Sequence, residues 1–316
     1  MTAYLVTGGA GFIGSHIAIR LLRDGQSVRV LDDLSTGRKT NLDAIRAADQ
    51  GGRFEFLEGD IRSIETCRTA CDGVEYVLHQ AALASVPRSI ENPSHTTAVN
   101  VVGLVNVLTA AKENGVRRVV CASSSSVYGD TPTLPKEEGM TPAPLSPYAV
   151  SKLAGEHFAR VFATTIGLET ISLRYFNVFG PRQDPGSQYA AVVPLFATSL
   201  RDSKRPLIYG DGQQSRDFTY IDNVVEANLM ACTKGKGNGQ ALNIACGERY
   251  TLLALLEGLA KLFGVRAEPE FLPPRAGDVR HSQASIERAE HELGFKPRVG
   301  FEEGLKRTVE HYRRAA

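Results

Sequence analysis

The sequence predicts an α/β fold with a doubly wound parallel sheet and a smaller C-terminal lobe. Short β-rich apolar runs alternate with amphipathic helical patterns through the first half of the chain. A glycine-rich turn directly follows the first run, and the pattern changes after about residue 176. Alternation at this spacing is typical of parallel strands covered by helices on both faces, which is the Rossmann-type arrangement.

The elements of the first half follow one another in a regular order. Six runs are candidate strands: Tyr4–Thr7, Ser27–Asp32, Phe54–Glu58, Tyr76–His79, Arg118–Ala122 and Glu169–Tyr175. Three amphipathic stretches between them are candidate helices: Ile13–Arg23, Thr97–Asn114 and Ala149–Thr165. This order places helices in the connections between parallel strands.

The second half of the chain is punctuated by Gly, Pro and Arg, in segments such as FGPRQDPGSQ, YGDGQQSRDF and LPPRAGDVRH. We interpret it as a smaller lobe built mainly from loops and helices. The prediction assigns residues 1–175, with returning segments at roughly 205–245, to the sheet domain. The second lobe is then discontinuous within 176–316, and no single linker separates the two.

Composition and charge exclude several classes of protein. The chain has 316 residues, of which 42% are hydrophobic and 22% charged, so a sizeable core is expected. Lys and Arg (36) nearly balance Asp and Glu (35), which gives no electrostatic case for nucleic acid or a membrane surface as the main partner. No apolar run approaches the ~18 residues that a membrane-spanning helix needs.

The five cysteines indicate a reducing environment. They are scattered, odd in number and without a CxxC pair: Cys67, Cys71, Cys121, Cys232 and Cys246. We interpret them as reduced thiols of a cytoplasmic protein, and no metal site is expected. The N-terminal residues MTAYLVTGGAGFIGS lack the basic start and the cleavage site of a signal peptide.

The turn TGGAGFIG predicts a binding site for a dinucleotide pyrophosphate. Gly8 permits the tight turn, Gly11 lets the backbone approach the phosphates, and Gly14 lets the helix pack on the strand. The helix that opens at Phe12 and Ile13 offers free N–H groups and the positive end of its dipole. A purely structural glycine-rich turn is the alternative.

A carboxylate stands close to the spacing expected for recognition of the adenosine ribose. Asp32 ends the second strand, 18 residues after Gly14, and favours NAD over NADP because it would repel a 2′-phosphate. Arg38 nearby weakens that preference. Asp60 and Ile61, after the third strand, are candidates to flank the adenine, although an ordinary loop Asp explains Asp60 equally well.

The segment SPYAVSK carries the most informative pair of side chains. Pro147 suits the first turn of a helix, and Tyr148 and Lys152 then project from one helical face. A tyrosine hydroxyl titrates near pH ~10, but a neighbouring ammonium and a positive nicotinamide would favour the phenolate. The pair could then accept a proton from a substrate hydroxyl. Alternatively, both residues lie at a solvated helix surface.

Four serines follow the fifth strand, in CASSSSVYG. Ligands bind at the carboxyl ends of parallel strands, and a Ser beside the Tyr could share the hydrogen bond to the reacting oxygen. A serine-rich loop without function is the alternative. No GxSxG elbow is present and no His is placed to complete a hydrolase triad.

Taken in order, TGGAGFIG, Asp32, Asn100, SSSSVYG, YAVSK and RYFNVFGPR resemble the extended short-chain dehydrogenase/reductase family, and within it the nucleotide-sugar epimerases. The resemblance covers essentially the whole chain. It implies that Ser124, Tyr148 and Lys152 are the catalytic triad, with Ser123 and Ser125 as helpers, and that the cofactor is NAD.

The resemblance also implies which other residues surround the cofactor. Asn100 matches a structural Asn behind the active site, and Tyr175 a position beside the nicotinamide. The loop after the fourth strand, HQAALASV, is expected to pass the cofactor and then the substrate, with His79, Gln80, Ala81, Ala82 and Leu83 near the first and Ser85 near the second.

Two carboxylates that other members of this family carry are absent here, which limits the reactions expected of this chain. Sugar dehydratases of this family carry an Asp-Glu pair just before VYG, and the related decarboxylases usually keep the Glu. Here these positions are Ser125 and Ser126. Without an added acid or base, the resemblance implies a 4-epimerase, in which Tyr148 deprotonates the C4 hydroxyl, a 4-keto sugar forms and turns over, and NAD is regenerated in each cycle.

The second lobe is expected to hold a UDP-sugar. By resemblance, Asn177 contacts the diphosphate-sugar region, Arg216 and Arg275 grip the pyrophosphate, and Asp278 bonds the uridine ribose; Val193 and Tyr209 are candidates to line the uracil and phosphate pocket. Arginine suits this task through its fixed charge and fork geometry.

By resemblance, Ser282 in GDVRHSQAS matches the position that limits the sugar pocket in 4-epimerases. A Tyr there excludes a C2 N-acetyl group, whereas Ser leaves room, so UDP-GlcNAc and UDP-GalNAc are expected as substrates beside UDP-Glc and UDP-Gal. A UDP-glucose-only epimerase, a nucleotide-sugar reductase and a non-catalytic NAD-binding sensor are the alternatives.

The resemblance also implies a homodimer. It would form through a four-helix bundle built from the helices near Thr97–Asn114 and Ala149–Thr165.

Overall fold

The computed structural model describes residues 3–186, 191–274 and 279–314. The strands are β1 (Ala3–Thr7), β2 (Ser27–Asp32), β3 (Phe54–Glu58), β4 (Tyr76–His79), β5 (Arg118–Ser124), β6 (Glu169–Tyr175), β7 (Val178–Phe179), β8 (Leu207–Tyr209), β9 (Ser215–Arg216), β10 (Thr219–Tyr220), β11 (Asn238–Ile244), β12 (Tyr250–Thr251) and β13 (Glu270–Leu272).

The helices lie between these strands and after them. They are α1 (Phe12–Arg23), α2 (Lys39–Ala48), α3 (Ile64–Cys71), α4 (Val86–Glu91), α5 (Pro93–Thr97), α6 (Gly103–Glu113), α7 (Pro147–Val161), α8 (Val192–Arg201), α9 (Ile221–Thr233), α10 (Leu252–Phe263), α11 (Glu287–Leu293) and α12 (Phe301–Arg314). A 3₁₀ turn spans Ser125–Tyr128, and π-helical turns span Ala98–Val102 and Phe162–Ile166.

Seven strands form one sheet in the order β11-β6-β5-β4-β1-β2-β3, with every neighbouring pair parallel. Side chains of one strand alternate between the two faces. Tyr4 and Val6 therefore pack in one apolar cluster with α1 and α9, while Leu5 packs in the other with α3 and α6. Helices on both faces confirm the predicted doubly wound α/β fold.

The structure extends the predicted elements in two places. β5 continues through Ser124, so its polar end is part of the sheet. β11, from the second half of the chain, pairs with β6 as the seventh strand. The predicted helix Thr97–Asn114 is divided into α5, a π-helical turn and α6, and Asn100 in that turn bonds Leu83 and Ser151.

The second half of the chain contains more sheet than its sequence predicts. Three two-stranded sheets pair β7 with β10, β8 with β13, and β9 with β12, beside helices α8 and α10 to α12. These strands have only two or three residues, which is too short for a hydrophobic period to show. Among these elements, the aromatic rings of Tyr220 and Phe301 pack edge to face against Phe179.

The five cysteines are free thiols. In the described ranges, none of the helices combines the length and the apolar character needed to cross a membrane. Nor does the described part of the chain contain a group of three or more His, Cys, Asp or Glu side chains placed to hold a metal ion.

Candidate active site

The strand order places a crevice at the carboxyl ends of β1 and β4. The chain adds β2 and β3 on one side of β1 and then crosses to β4 on the other side, which makes this the switch point of the sheet. Thr7 and His79 end the two strands, and the Thr7 hydroxyl lies 2.8 Å from His79 Nδ1. Burial, helped by the charge of Lys152, lowers the pKa of His79 to about 3, so the ring is neutral.

The glycine-rich turn brings the backbone of β1 against the loop after β4. Gly8 has φ +67°, and a Cβ there would lie 2.6 Å from the backbone nitrogen of Ala81. A Cβ on Gly14 would lie 2.3 Å from the Gly8 carbonyl oxygen. No side chain caps α1, so the N–H groups of Phe12, Ile13 and Gly14 have no partner within the helix. The turn thus presents free donors to an anion.

Asp32 lies at the end of β2 beside this turn and is 7% exposed. Its Oδ2 accepts from Ala10 N at 2.9 Å and its Oδ1 from Leu34 N at 2.9 Å. Burial raises the pKa of Asp32, and the two N–H donors oppose that rise. Each oxygen keeps a lone pair for a ribose hydroxyl.

Asp60 and Ile61 lie after β3 and differ in their surroundings. Asp60 accepts from Arg62 Nε at 2.7 Å, and this hydrogen bond lowers the pKa of Asp60. Ile61 is buried and packs against Gly103, where a Cβ would lie 2.5 Å from Ile61 Cδ1. Asp60 therefore already has a local structural role.

The loop after β4 is held in place by amide side chains. Gln80 and Asn228 both hydrogen-bond the Tyr175 hydroxyl, at 3.1 Å and 2.9 Å from their amide nitrogens. Ala81 N donates to Thr7 Oγ1 at 3.3 Å.

Further along this loop, Asn100 Nδ2 donates to both Leu83 O at 3.1 Å and Ser151 Oγ at 3.0 Å. Asn100 therefore links the loop to α7, which carries Tyr148 and Lys152. Ala82 is half-buried, and Ser85 caps α4 by accepting from Arg88 N.

Ser124, Tyr148 and Lys152 converge where β5 ends and α7 begins. Pro147 occupies the first turn of α7, and the Ser146 hydroxyl caps the helix by accepting from Ala149 N at 3.2 Å. Lys152 Nζ lies 6.0 Å from the centre of the Tyr148 ring and donates to Ala122 O at 2.8 Å.

Burial sets the protonation of the two titratable groups. It raises the pKa of Tyr148, and a hydrogen bond with Ser124 opposes the rise. It lowers the pKa of Lys152 to about 8, so the ammonium still prevails at neutral pH. Ser124 also accepts from Ser126 N, and Ser125 is half-buried beside it. Without a cofactor or substrate, Tyr148 is therefore a protonated phenol that is hydrogen-bonded with Ser124 and lies beside the Lys152 ammonium.

Glu156 of α7 and Arg174 of β6 form a buried ion pair that was not identified from the sequence. Glu156 accepts from Arg174 Nε at 2.8 Å and Nη2 at 2.7 Å, and from the Ser123 hydroxyl at 2.5 Å. Arg174 Nη1 donates to the Tyr128 hydroxyl at 2.8 Å. Glu156 follows Lys152 by four residues, which is the helical spacing that could have indicated it.

The second lobe brings three predicted substrate residues close together. Asn177 Nδ2 lies 3.3 Å from Ser282 Oγ and 3.3 Å from the carbonyl oxygen of Asp217. Arg216 precedes Asp217 and donates to the carbonyl oxygen of Arg280 at 3.2 Å.

Asp217, which the sequence did not single out, is fully buried and accepts from the backbone N–H groups of Cys246, Gly247 and Ala284. Burial raises the pKa of Asp217 to about 7 against these three donors. Its carboxylate joins the segments that carry Arg216 and Ser282.

Of the other predicted nucleotide contacts, Tyr209 and Val193 lie within the described ranges. Tyr209 lines a cavity of about 550 Å³ together with Gln214, Phe271 and Arg280. Val193 lies in the first turn of α8 and is 2% exposed in the hydrophobic core. Arg275 and Asp278 lie outside the described residues.

Comparison with known proteins yields matches over nearly the whole chain. The model of the family described as "NAD dependent epimerase/dehydratase family" matches residues 4–245. A UDP-glucose 4-epimerase of Mycolicibacterium smegmatis is 41% identical over 311 residues, covering 98% of both chains. A UDP-glucuronate 4-epimerase of Thermodesulfobacterium geofontis is 34% identical, covering 98% of this chain and 95% of the relative.

Two solved structures have the same fold. The UDP-N-acetylglucosamine 4-epimerase of Methanobrevibacter ruminantium, in complex with UDP-N-acetylmuramic acid, superimposes with a TM-score of 0.94 at 36% identity, covering 100% of this chain and 99% of the other. The UDP-glucose 4-epimerase of Thermus thermophilus, in complex with NAD, superimposes with a TM-score of 0.90 at 37% identity and covers 100% of both chains.

Proposed function

The chain belongs to the NAD-dependent epimerase/dehydratase family, and we propose that it inverts the configuration of UDP-hexoses at C4 through a transient 4-keto sugar. The observation that carries the proposal is the convergence of Ser124, Tyr148 and Lys152 at the end of β5. Serines stand at 125 and 126, so no carboxylate there supplies the extra acid or base of an elimination.

The residues at the switch point fit the cofactor NAD. The glycine-rich turn leaves space that a Cβ would fill, the start of α1 offers uncapped N–H groups to a pyrophosphate, and Asp32 offers a buried carboxylate to the ribose. When bound there, NAD would supply reversible hydride transfer at C4 of the sugar.

The protein's own part in the reaction is proton transfer and orientation. Tyr148 takes the proton of the C4 hydroxyl and gives it back after the sugar has turned over. The Lys152 ammonium, 6.0 Å from the ring centre, favours the phenolate electrostatically, and the Ser124 hydroxyl shares the hydrogen bond to the reacting oxygen. Asn100 holds α7 against the loop that passes the site.

The second lobe holds the nucleotide and leaves the sugar free to rotate. In this proposal Asn177 and Arg216 contact the diphosphate, together with Arg275, and Asp278 bonds the uridine ribose. The short distance between Asn177 and Ser282 supports a pocket shared by these side chains.

Ser282 supports acceptance of N-acetylated sugars. Its side chain is small, 7% exposed, and in contact with Asn177, which we place at the substrate. A larger residue would take the volume that a C2 acetamido group needs. We therefore propose UDP-GlcNAc and UDP-GalNAc as substrates beside UDP-Glc and UDP-Gal. The curated relatives are named for UDP-glucose and for UDP-glucuronate, so UDP-glucuronate belongs in the test.

The test is proton NMR of the purified protein, with no NAD added, incubated separately with UDP-GlcNAc, UDP-Glc and UDP-glucuronate. Galacto-configured products from the first two are expected, because NAD is regenerated and stays bound. Product from UDP-Glc alone would contradict the argument from Ser282, product from UDP-glucuronate alone would reassign the substrate, and a requirement for added cofactor would favour a reductase.

Two variants test the proton transfer and the sugar selectivity separately. Tyr148→Phe removes the proton acceptor and should lower turnover by at least ~100-fold with the cofactor still bound. Ser282→Tyr should lower turnover of UDP-GlcNAc while UDP-Glc remains a substrate. Unchanged turnover in Tyr148→Phe would refute the mechanism.

We also propose a homodimer formed through α5–α6 and α7. Exposed apolar side chains lie on these neighbouring helices: Val102, Val150, Phe158 and Val161. Val150, Phe158 and Val161 share one face of α7, because helical neighbours recur every three or four residues. A second copy placed on this face would bury these side chains in a four-helix bundle.

A further inference from the structure

An ion pair spans the two lobes at the adenosine end of the cofactor site. The Arg38 guanidinium donates to the Asp184 carboxylate, 146 residues further along the chain. Arg38 follows Gly37, where a Cβ would lie 2.5 Å from Asp32 Oδ1, and Arg38 N donates to Ala10 O at 2.9 Å. Arg38 is therefore fixed beside the carboxylate that faces the ribose.

Asp184 is held in place by contacts that do not involve Arg38. Gly186 N donates to Asp184 Oδ1 at 2.7 Å. Around it, Pro181 O accepts from His16 Nε2 at 2.9 Å, and Gln183 O accepts from the Tyr312 hydroxyl at 2.6 Å. The segment 181–186 thus presents its carboxylate to Arg38 from a backbone anchored on α1 and α12.

The ion pair between Arg38 and Asp184 affects whether Arg38 can bind a phosphate of the nucleotide. In dinucleotide sites of this type, an arginine near the acidic residue can accommodate a 2′-phosphate. Here that guanidinium is already paired with the Asp184 carboxylate, at a partly exposed position where the two side chains are 47% and 36% exposed. We propose that Asp184 is a specificity-determining residue, which selects NAD against NADP by holding the Arg38 guanidinium away from a 2′-phosphate.

The test measures the nucleotide that the protein retains. Purified protein is incubated overnight with equal concentrations of isotope-labelled NAD and NADP and freed of unbound nucleotide, so that only nucleotide exchanged during the incubation is counted. The bound nucleotide is then released by denaturation and quantified by chromatography. Asp184→Asn removes one negative charge and frees Arg38, so the ratio of NADP to NAD should rise about three- to fivefold over wild type, the effect expected of a partly exposed ion pair. Asp32 is unchanged, so NAD should still prevail.

A double variant tests whether the change in the nucleotide ratio depends on Arg38. In Asp184→Asn/Arg38→Gln the released cation is gone, so the ratio should return to the wild-type value. Asp43→Asn is the matched control, because Asp43 is a carboxylate on α2 that is paired with Arg46 and not with Arg38. Asp184→Ser repeats the neutralisation should Asp184→Asn fail to fold.

An unchanged ratio in Asp184→Asn, or an equal rise in the double variant, would overturn the inference while leaving the proposed epimerase intact. The inference rests on the cofactor of the proposed function. Wild-type protein that retains neither nucleotide would overturn both together.

Discussion

Gly8 shows how a single backbone position controls the cofactor site. Its φ of +67° lies in the left-handed region, and a Cβ there would meet the backbone of Ala81, which cannot move aside as a flexible side chain could. Two separate strand ends therefore approach each other only if residue 8 has no side chain.

Gly8→Ala is expected to abolish retention of NAD and to destabilise the fold. The control is Gly52→Ala, since Gly52 has φ +64° with nothing within 4 Å of the added Cβ and so isolates the conformational cost of about 1–2 kcal/mol. Nucleotide release and urea unfolding of both variants measure the difference. Equal behaviour of the two would show that the contact with Ala81 is unimportant.

Helix α7 carries Tyr148, Lys152 and Glu156 at intervals of four residues. Tyr148 and Lys152 lie beside each other, and Glu156, one turn after Lys152, pairs with Arg174 on β6. Both members of the ion pair are less than 10% exposed. Buried charges are tolerated only when fully paired, so this pair fixes α7 against the sheet.

Glu156→Gln should cost about 3–5 kcal/mol in the free energy of unfolding, because it leaves the Arg174 guanidinium buried without its counter-charge. The double variant Glu156→Leu/Arg174→Met removes both charges and should recover most of that loss. Urea titration measures both. Arg68→Gln, which breaks an exposed pair with Glu113, is the control and should have far less effect. A double variant less stable than the single one would contradict this account.

Helix α1 also carries a pH-sensitive contact with the second lobe. His16 Nε2 donates to Pro181 O, and burial, with the charge of Arg182 next, lowers the pKa of His16 from 6.5 to about 3. As the pH falls below 6.5, the unfolded chain takes up a proton that the folded chain does not. Each such histidine therefore removes stability as the pH falls, by up to about 1.4 kcal/mol per pH unit.

His16→Gln keeps a donor for Pro181 O and removes this titration. The free energy of unfolding of the variant should fall less steeply than that of wild type between pH 6.5 and about pH 4.5. His79 retains its own titration, so part of the slope should remain. His157→Gln, at an exposed position on α7, is the control for the substitution itself. The same slope in His16→Gln would refute the assignment.

At the scale of the whole molecule, the exposed face of α7 is the feature that the single chain does not explain. Val150 and Val161 are 52% and 48% exposed on a helix whose opposite side packs against the sheet. Contiguous exposed apolar side chains of this kind mark an interaction surface.

Val150→Glu/Val161→Glu should convert the proposed dimer into a monomer, because two charges per copy would face their symmetry mates. Light scattering after size-exclusion chromatography measures the mass. Val265→Glu, at a 42% exposed position in the second lobe, should leave the mass unchanged. A monomeric wild type would refute the proposed interface.

The α/β fold and the candidate catalytic residues were predictable from the amino-acid sequence. Both signals are local: the alternation of strands and helices repeats along the chain, and Tyr148 and Lys152 are four residues apart on one helix. The predicted second and third strands have the bounds of β2 and β3, because turn residues flank each apolar run. The cytoplasmic location stays a prediction.

Tertiary structure alone decided the contacts between distant segments. Arg38 meets Asp184, Glu156 meets Arg174, and Asp217 joins the loops at 246 and 284. Such pairs have no fixed spacing, and the charges that form them look like any solvated loop or helix residue in the sequence. Which of them are buried or joined depends on how the sheet brings strand ends together, and that order of strands is a property of the folded chain.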